Sequence, residues 1–215
     1  MTASPDIGTT HRFLSTHEAA TAFSEIWDIY VAAIPASERK DRHTLRQMTQ
    51  RPEYAFHVTE RAGRVQAFGI VYQAQNGAFA LLEYFATDEA VRNQGIGGAL
   101  LRHIFAAHGD APILLEVETP PGGSGESIEA RRIAFYRRHG ARVIDSFHYV
   151  LPLKTDTAPP PMSILIAGAG GDQVVQTETL RGWIAEIYRD VYGAPSDNDD
   201  FLAMFSNLPA EMRLT

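Results

Sequence analysis

The sequence predicts a mixed α/β fold: a mostly antiparallel sheet with a strand–helix–strand crossover at its centre, followed by a C-terminal helical extension. Three observations predict it. Tyr54–Glu60, Arg64–Ala74 and Ala78–Ala86 are strand-like and follow one another across separators, Arg61–Gly63 and Gln75–Gly77, short enough for hairpin turns. A glycine-rich turn then opens a helix over about 96–107, and a buried-type strand, Pro112–Glu118, comes next. From Leu180 onward the apolar residues recur at helical spacing.

Taken in order, the chain opens with an amphipathic helix from about Thr16 to Ile34, carried by Phe23, Ile26, Trp27, Tyr30 and Ile34. A second helix follows Ser37, carries Leu45 and Met48, and stops before Pro52. Within the strand region Asn76-Gly77 is a strong turn signal. The helix after the glycines turns Leu100, Leu101, Ile104 and Phe105 inward. The low-complexity stretch Pro120–Ser127 predicts a mobile loop. Ser127 can cap a helix that reaches His139 and is ended by Gly140. Ser146–Leu153 is strand-like, and a Pro-rich turn, Thr155–Pro161, leads to one more apolar run, Ser163–Ala167.

Leu180, Trp183, Ile184, Ile187, Tyr188 and Val191 then mark a clear amphipathic helix, stopped by Gly193 and Pro195. A shorter helix is expected over Asp199–Phe205. The stripe either packs on the main domain or forms a homodimer contact. The organisation is a main domain over 1–170 and an extension over 171–215.

Composition narrows the function. A chain of 215 residues with 45% hydrophobic and 21% charged residues can bury a sizeable core and is not mainly disordered. A net charge of −7 argues against a sequence-independent nucleic-acid binder and suits a cationic small molecule or basic peptide. Without cysteine there is no disulfide, thiolate metal site or cysteine nucleophile. The eight histidines lack metal-ligand spacing, so no metal is expected. No apolar run approaches the ~20 residues of a membrane span, and the start lacks the pattern of a signal peptide; neither membrane association nor export is expected, and cytoplasmic residence is. Ser163–Gly171 only superficially resembles a dinucleotide turn, because Gln173 stands at the third glycine position.

The chemistry concentrates in Thr87–Leu101, where a strand gives way to a helix through glycines at 95, 97 and 98. A backbone turning this tightly leaves successive N–H groups aimed at one point, and the helix dipole adds positive potential there. A pyrophosphate fits such a turn. The segment ends in neither Gly-Lys-Ser/Thr nor G-x-G-x-x-G, so it is not an ordinary P-loop or dinucleotide fingerprint.

Arg92-Asn93-Gln94-Gly95-Ile96-Gly97 resembles the acyl-CoA signature R/Q-x-x-G-x-G/A of the GNAT N-acetyltransferase superfamily. Leu82–Thr87 takes the place of that family's fourth strand, and Ile133–Gly140 resembles its second signature, a helix ending in Tyr-x-x-x-Gly. The resemblance covers roughly residues 10–168. It implies an acyl-CoA N-acyltransferase fold whose fourth and fifth strands splay to admit the pantetheine arm. It further implies acetyl-CoA as cosubstrate, with Phe85, Ala86 and Thr87 along that arm. Arg92, Asn93, Gln94, Gly95, Ile96, Gly97 and Gly98 would lie at the pyrophosphate, and Tyr136 near the thioester sulfur. Glu129 and Arg132 depart from the Asn and Ala frequent in the second signature.

Independently of any resemblance, an amine attacks a thioester only when neutral, and a lysine-like amine is roughly 0.04% neutral at pH 7. Holding the reactants together supplies much of the acceleration, and a placed carboxylate takes the amine proton. Strand alternation puts Glu83 on one face with Phe79, Leu81 and Phe85, where burial raises a carboxyl pKa. Glu116 is the second candidate base, and Glu118, near a strand end, the third. Tyr136 is the natural donor to the leaving thiolate. Tyr30, Tyr54, His57, Tyr149 and the loop Pro120–Ser127 are candidates for the acceptor pocket by location.

The expected function is therefore N-acetyl transfer from acetyl-CoA to a primary amine of a small molecule or peptide, in a ternary complex. The alternatives are a non-catalytic acyl-CoA sensor or a partner-binding protein.

Overall fold

The computed structural model describes residues 9–121, 127–152, 160–168 and 173–215. Its principal sheet has seven strands in the order β1-β2-β3-β4-β5-β7-β6. The chain divides into two compact units, Met1–Val71 with Glu83–Ala107, and Tyr72–Leu82 with His108–Thr215.

The first unit begins with β1 (Thr9–Leu14), which runs antiparallel to β2 (Tyr54–Arg61) from Thr9–Arg61 to Leu14–Phe56. The sequence pattern marks no element before Thr16. This strand is polar and carries Phe13 55% exposed, so it leaves no alternation to read. Between these strands lie α1 (Thr16–Ala33) and α2 (Arg42–Met48). Ser15 and Glu18 form a capping box at the start of α1, and Asp41 accepts from two backbone N–H groups at the start of α2. The apolar face of α1 buries Phe23, Ile26, Ile29 and Tyr30. Strand β3 (Arg64–Gln73) and strand β4 (Ala80–Thr87) contribute residues to both units, and α3 (Ile96–His108) buries Leu100, Leu101 and Ile104.

In the second unit β4 and β5 (Ile113–Glu118) pair in parallel through Ala80–Ile113 and Leu81–Leu114, at the first two positions of both strands. With α3 as the connection, this is the predicted central crossover. Strand β5 also runs antiparallel to β7 (Met162–Ala167), from Ile113–Ala167 to Glu118–Met162. Helix α4 (Ile128–Arg138) starts at its Ser127 cap as expected, and β6 (Arg142–Val143) pairs with β7.

Over the described residues 146–152 the strand expected at Ser146–Leu153 does not form. The ladder partner of β7 is β6 instead, and the later segment contributes a single bridge, Tyr149–Met162. Ser146 takes a left-handed conformation with φ 57°, which breaks the extended run at its first residue.

After residue 173 the chain is not purely helical. Strand β8 (Val174–Gln176) pairs antiparallel with β9 (Glu211–Arg213), each too short for periodicity to reveal. Between them α5 (Thr177–Asp190) buries Leu180, Ile184, Ile187 and Tyr188, and α6 (Asp199–Phe205) buries Phe201 and Met204. The stripe foreseen on α5 is thus buried in this unit. The Tyr188 hydroxyl donates to the Val150 carbonyl, and Tyr72 donates to Glu186 at 3.0 Å.

Four expectations fall wholly or partly on residues outside the described ones: the loop over 120–127, the end of the strand over 146–153, the turn over 155–161 and the run over 163–171. Among the described residues no helix is long and apolar enough to cross a membrane.

Candidate active site

The glycine turn lies within the first unit. Past Thr87 the Asp88 N–H donates to the Gln66 carbonyl at 2.8 Å, and its carboxylate caps a short 3-10 turn over Glu89–Val91. Asn93 and Gly95 then take left-handed conformations, with φ 63° and 79°, and α3 begins at Ile96. The first-turn N–H groups of Ile96, Gly97 and Gly98 have no carbonyl one turn earlier in the helix, so they face outward from its positive end. The Arg92 guanidinium stands beside them in sequence, half exposed and 3.9 Å from the Glu89 carboxylate.

The two signature glycines have different jobs. Nothing lies within 4 Å of a Cβ built on Gly95, so its requirement is the left-handed backbone. A Cβ on Gly97 would stand 3.0 Å from Thr87 Oγ1 and 3.7 Å from the Phe85 ring. Gly97 therefore lets the first turn of α3 rest against the end of β4. Ala86 is buried, while Phe85 and Thr87 are half-buried.

Glu83 sits midway along β4. The residue as a whole is half-buried, yet its side chain is only 2% exposed, so the surface it presents is main chain. Its carboxylate lies 2.9 Å from the Lys40 ammonium and near the Tyr54 hydroxyl. Burial raises the Glu83 carboxyl above the usual carboxylate range, opposed by Lys40, Tyr54 and Arg51. Burial and then the Glu83 charge push the Tyr54 and Tyr84 phenols up.

The segment holding Lys40 is tied down on both sides. The Lys40 backbone N–H donates to the Tyr30 hydroxyl at 2.7 Å, and the Tyr84 hydroxyl donates to the Glu38 carbonyl at 3.3 Å. Tyr30 and Tyr84 meet edge to face with centroids 5.0 Å apart. Sequence reasoning missed Lys40. Its signal was compositional: of nineteen Lys and Arg residues only Lys40 and Lys154 are lysines.

The remaining first-unit expectations separate. Tyr54 and His57 fall three apart on β2, so they point to opposite faces. Tyr54 meets Glu83, whereas His57, 2% exposed, lies against the rings of His103 and Phe13 at 5.6 and 5.5 Å.

In the second unit Tyr136 is buried in the last turn of α4. Burial pushes its phenol up to about 12, opposed by Arg132. Glu116, on β5, accepts hydrogen bonds from the hydroxyls of Tyr149 and Tyr192, both at 2.5 Å. Glu118 ends the same strand opposite Met162. Among the described residues no group of three His, Asp or Glu side chains could hold a metal ion.

Residues 52–140 match the sequence model of the acetyltransferase (GNAT) domain. Among curated protein sequences none matches the chain. Solved structures are similar over most of its length. A protein from Bacteroides thetaiotaomicron, described as an acetyltransferase of the GNAT family, is 26% identical with a TM-score of 0.70, over 86% of this chain and 99% of that one. The ribosomal-protein-S18-alanine N-acetyltransferase of Escherichia coli is 22% identical with a TM-score of 0.54, over 74% of this chain and 93% of that one. A GNAT family acetyltransferase from Elizabethkingia anophelis, solved with acetyl-CoA bound, is 16% identical with a TM-score of 0.51, over 75% and 98%. The last two likenesses concern the fold alone. Residues 52–140 are thus a GNAT acetyltransferase domain, and the fold around them is similar to that of GNAT family acetyltransferases.

Proposed function

We propose that the protein is an N-acetyltransferase that moves an acetyl group from acetyl-CoA to a primary amine of a small molecule or peptide, by direct attack in a ternary complex. The observation that carries this reading is the turn at Asn93–Gly98 within the stretch that matches the GNAT domain. Its left-handed backbone at Asn93 and Gly95 leads into outward-facing amides at the positive end of α3. Those amides, with Arg92, Asn93 and Gln94, suit a diphosphate. The exposed main chain at Glu83 and the half-buried Phe85 and Thr87 suit an extended amide-bearing arm.

Acetyl-CoA supplies the activated thioester when bound. The chain's residues supply the rest. Glu83, raised by burial yet ion-paired, takes a proton from the attacking ammonium. Tyr136, whose phenol stays protonated at neutral pH, gives one to the departing sulfur. Glu116 is the weaker base of the two glutamates, because two phenols donate to its ionised form. The acceptor class stays at primary amines.

The test is thiol release from acetyl-CoA and longer acyl-CoAs against a mixed amine panel, with calorimetry of coenzyme A on the purified chain. Saturable binding that weakens in a Gly97 variant, together with amine-dependent thiol release, is expected. Absence of coenzyme A binding would overturn the reading; binding with no thiol release for any amine would favour the sensor.

A further inference from the structure

We infer that Lys40 is an intramolecular acyl acceptor, so that the protein acetylates its own Lys40 Nζ. This inference rests on the acetyl-transfer reading of the site above. Four observations carry it. The chain uses arginine for seventeen of its nineteen Lys and Arg residues, yet a lysine stands at Glu83. A guanidinium pairs with a carboxylate at least as well, and a lysine amine differs in being able to lose a proton and act as a nucleophile. The ammonium lies 2.9 Å from the carboxylate proposed as the base, which is hydrogen-bond reach for proton transfer. Its segment is held there through the Lys40 N–H and the Glu38 carbonyl, so the geometry is built rather than incidental. Finally, the side chain stays 19% exposed while Glu83 presents main chain at the same place on β4, so the amine is reachable from the strand that leads to the glycine turn.

The step balances. Lys40 ammonium gives one proton to the Glu83 carboxylate. The resulting amine forms a C–N bond to the acetyl carbonyl carbon as the C–S bond breaks. A second nitrogen proton is lost as the thiolate gains one, leaving acetyl-lysine, the free thiol of coenzyme A, and a proton on Glu83 that returns to water. Acetylation removes the positive charge that holds the Glu83 carboxyl down. The modified protein therefore carries a more easily protonated base, and the acid limb of its pH–rate profile moves to higher pH.

The experiment incubates the full chain with isotopically labelled acetyl-CoA and no added amine, then measures intact mass and maps the label. One acetyl group at Lys40 is expected, forming at a rate independent of protein concentration, with Lys154 and the N-terminal amine as internal comparisons. Lys40→Arg, which keeps a cation beside Glu83, should lose the label. Glu83→Gln should slow it about 100-fold or more. Label confined to other amines overturns the inference, as does a labelling rate that scales with protein concentration. Amine-dependent thiol release with an unlabelled Lys40 also overturns it and leaves the acetyltransferase reading standing. Loss of both label and coenzyme A binding overturns the two together. Circular dichroism of Lys40→Arg and Glu83→Gln separates loss of chemistry from loss of fold.

Discussion

Thr87 Oγ1 stands 3.0 Å from the place a Cβ on Gly97 would occupy, so a side chain at residue 97 would crowd the contact between the end of β4 and the first turn of α3. Gly97→Ala is expected to destabilise the protein by ~2 kcal/mol as the contact is forced apart. Coenzyme A binding should weaken with it. Adding Thr87→Ala removes the obstructing atom and should recover part of both losses. A double-mutant cycle of urea midpoints and calorimetric affinities measures the coupling.

Glu83→Gln tests the base. Turnover should fall by about 10²-fold or more, with the largest deficit at lower pH, where neutral amine is scarcest. Stability should respond as well. A carboxyl raised in the folded state binds its proton more tightly there than in the unfolded chain. Wild-type stability therefore declines as pH rises from the ordinary carboxylate range through the raised native value. The glutamine variant should lack that decline in urea titrations taken upward from the ordinary carboxylate range. A variant pH–rate profile that matches wild type would place the base elsewhere.

Tyr136→Phe keeps the ring and removes the hydroxyl. Because burial holds that phenol near 12, it is a proton donor throughout the neutral range. Turnover is expected to drop while coenzyme A affinity barely changes, the signature of a group used only as the thiolate leaves. Unchanged turnover with the best acceptor removes Tyr136 from the chemistry.

Acid stability has a named contributor in the Ser15–Glu18 capping box. Hydrogen bonds from the Ser15 hydroxyl and backbone, together with Arg12, hold the Glu18 carboxyl down to about 2. That support is complete above the ordinary carboxylate range and fades as pH falls towards 2. Glu18→Gln should flatten this part of the stability curve, and 1 M salt should reproduce part of the effect, since the pair is exposed.

The extension over 171–215 is expected to be indispensable to the second unit. Tyr188→Phe leaves the Val150 carbonyl without its donor and should cost about 1 kcal/mol. Deleting the segment removes Leu180, Ile184, Ile187 and Tyr188, all fully buried, and should give insoluble or non-cooperatively unfolding material. A soluble, cooperatively folded truncation would show it to be an appendage.

Legibility in the sequence followed the length and the amphipathicity of each element. The stripe of α1, the hairpin strands β2 to β4 and the glycine turn were all readable, because long periodic runs and φ-positive glycines leave compositional traces. Strands β1, β8 and β9 were not. One is polar and exposed, and two are three residues long. The apolar residues around Ser146–Leu153 suggested a strand, but a left-handed serine and burial of Tyr149 decided otherwise.

By itself the sequence determined the mixed α/β class, the crossover and the family's two signatures, since these are written in spacing along the chain. It also singled out Glu83 as a carboxylate on an apolar face. Only the tertiary structure decided what each carboxylate meets. Lys40 lies forty-three residues from Glu83, and Tyr192 lies seventy-six from Glu116. No local pattern records such pairings, because they arise when folding buries a charge and the chain must bring a distant partner to it.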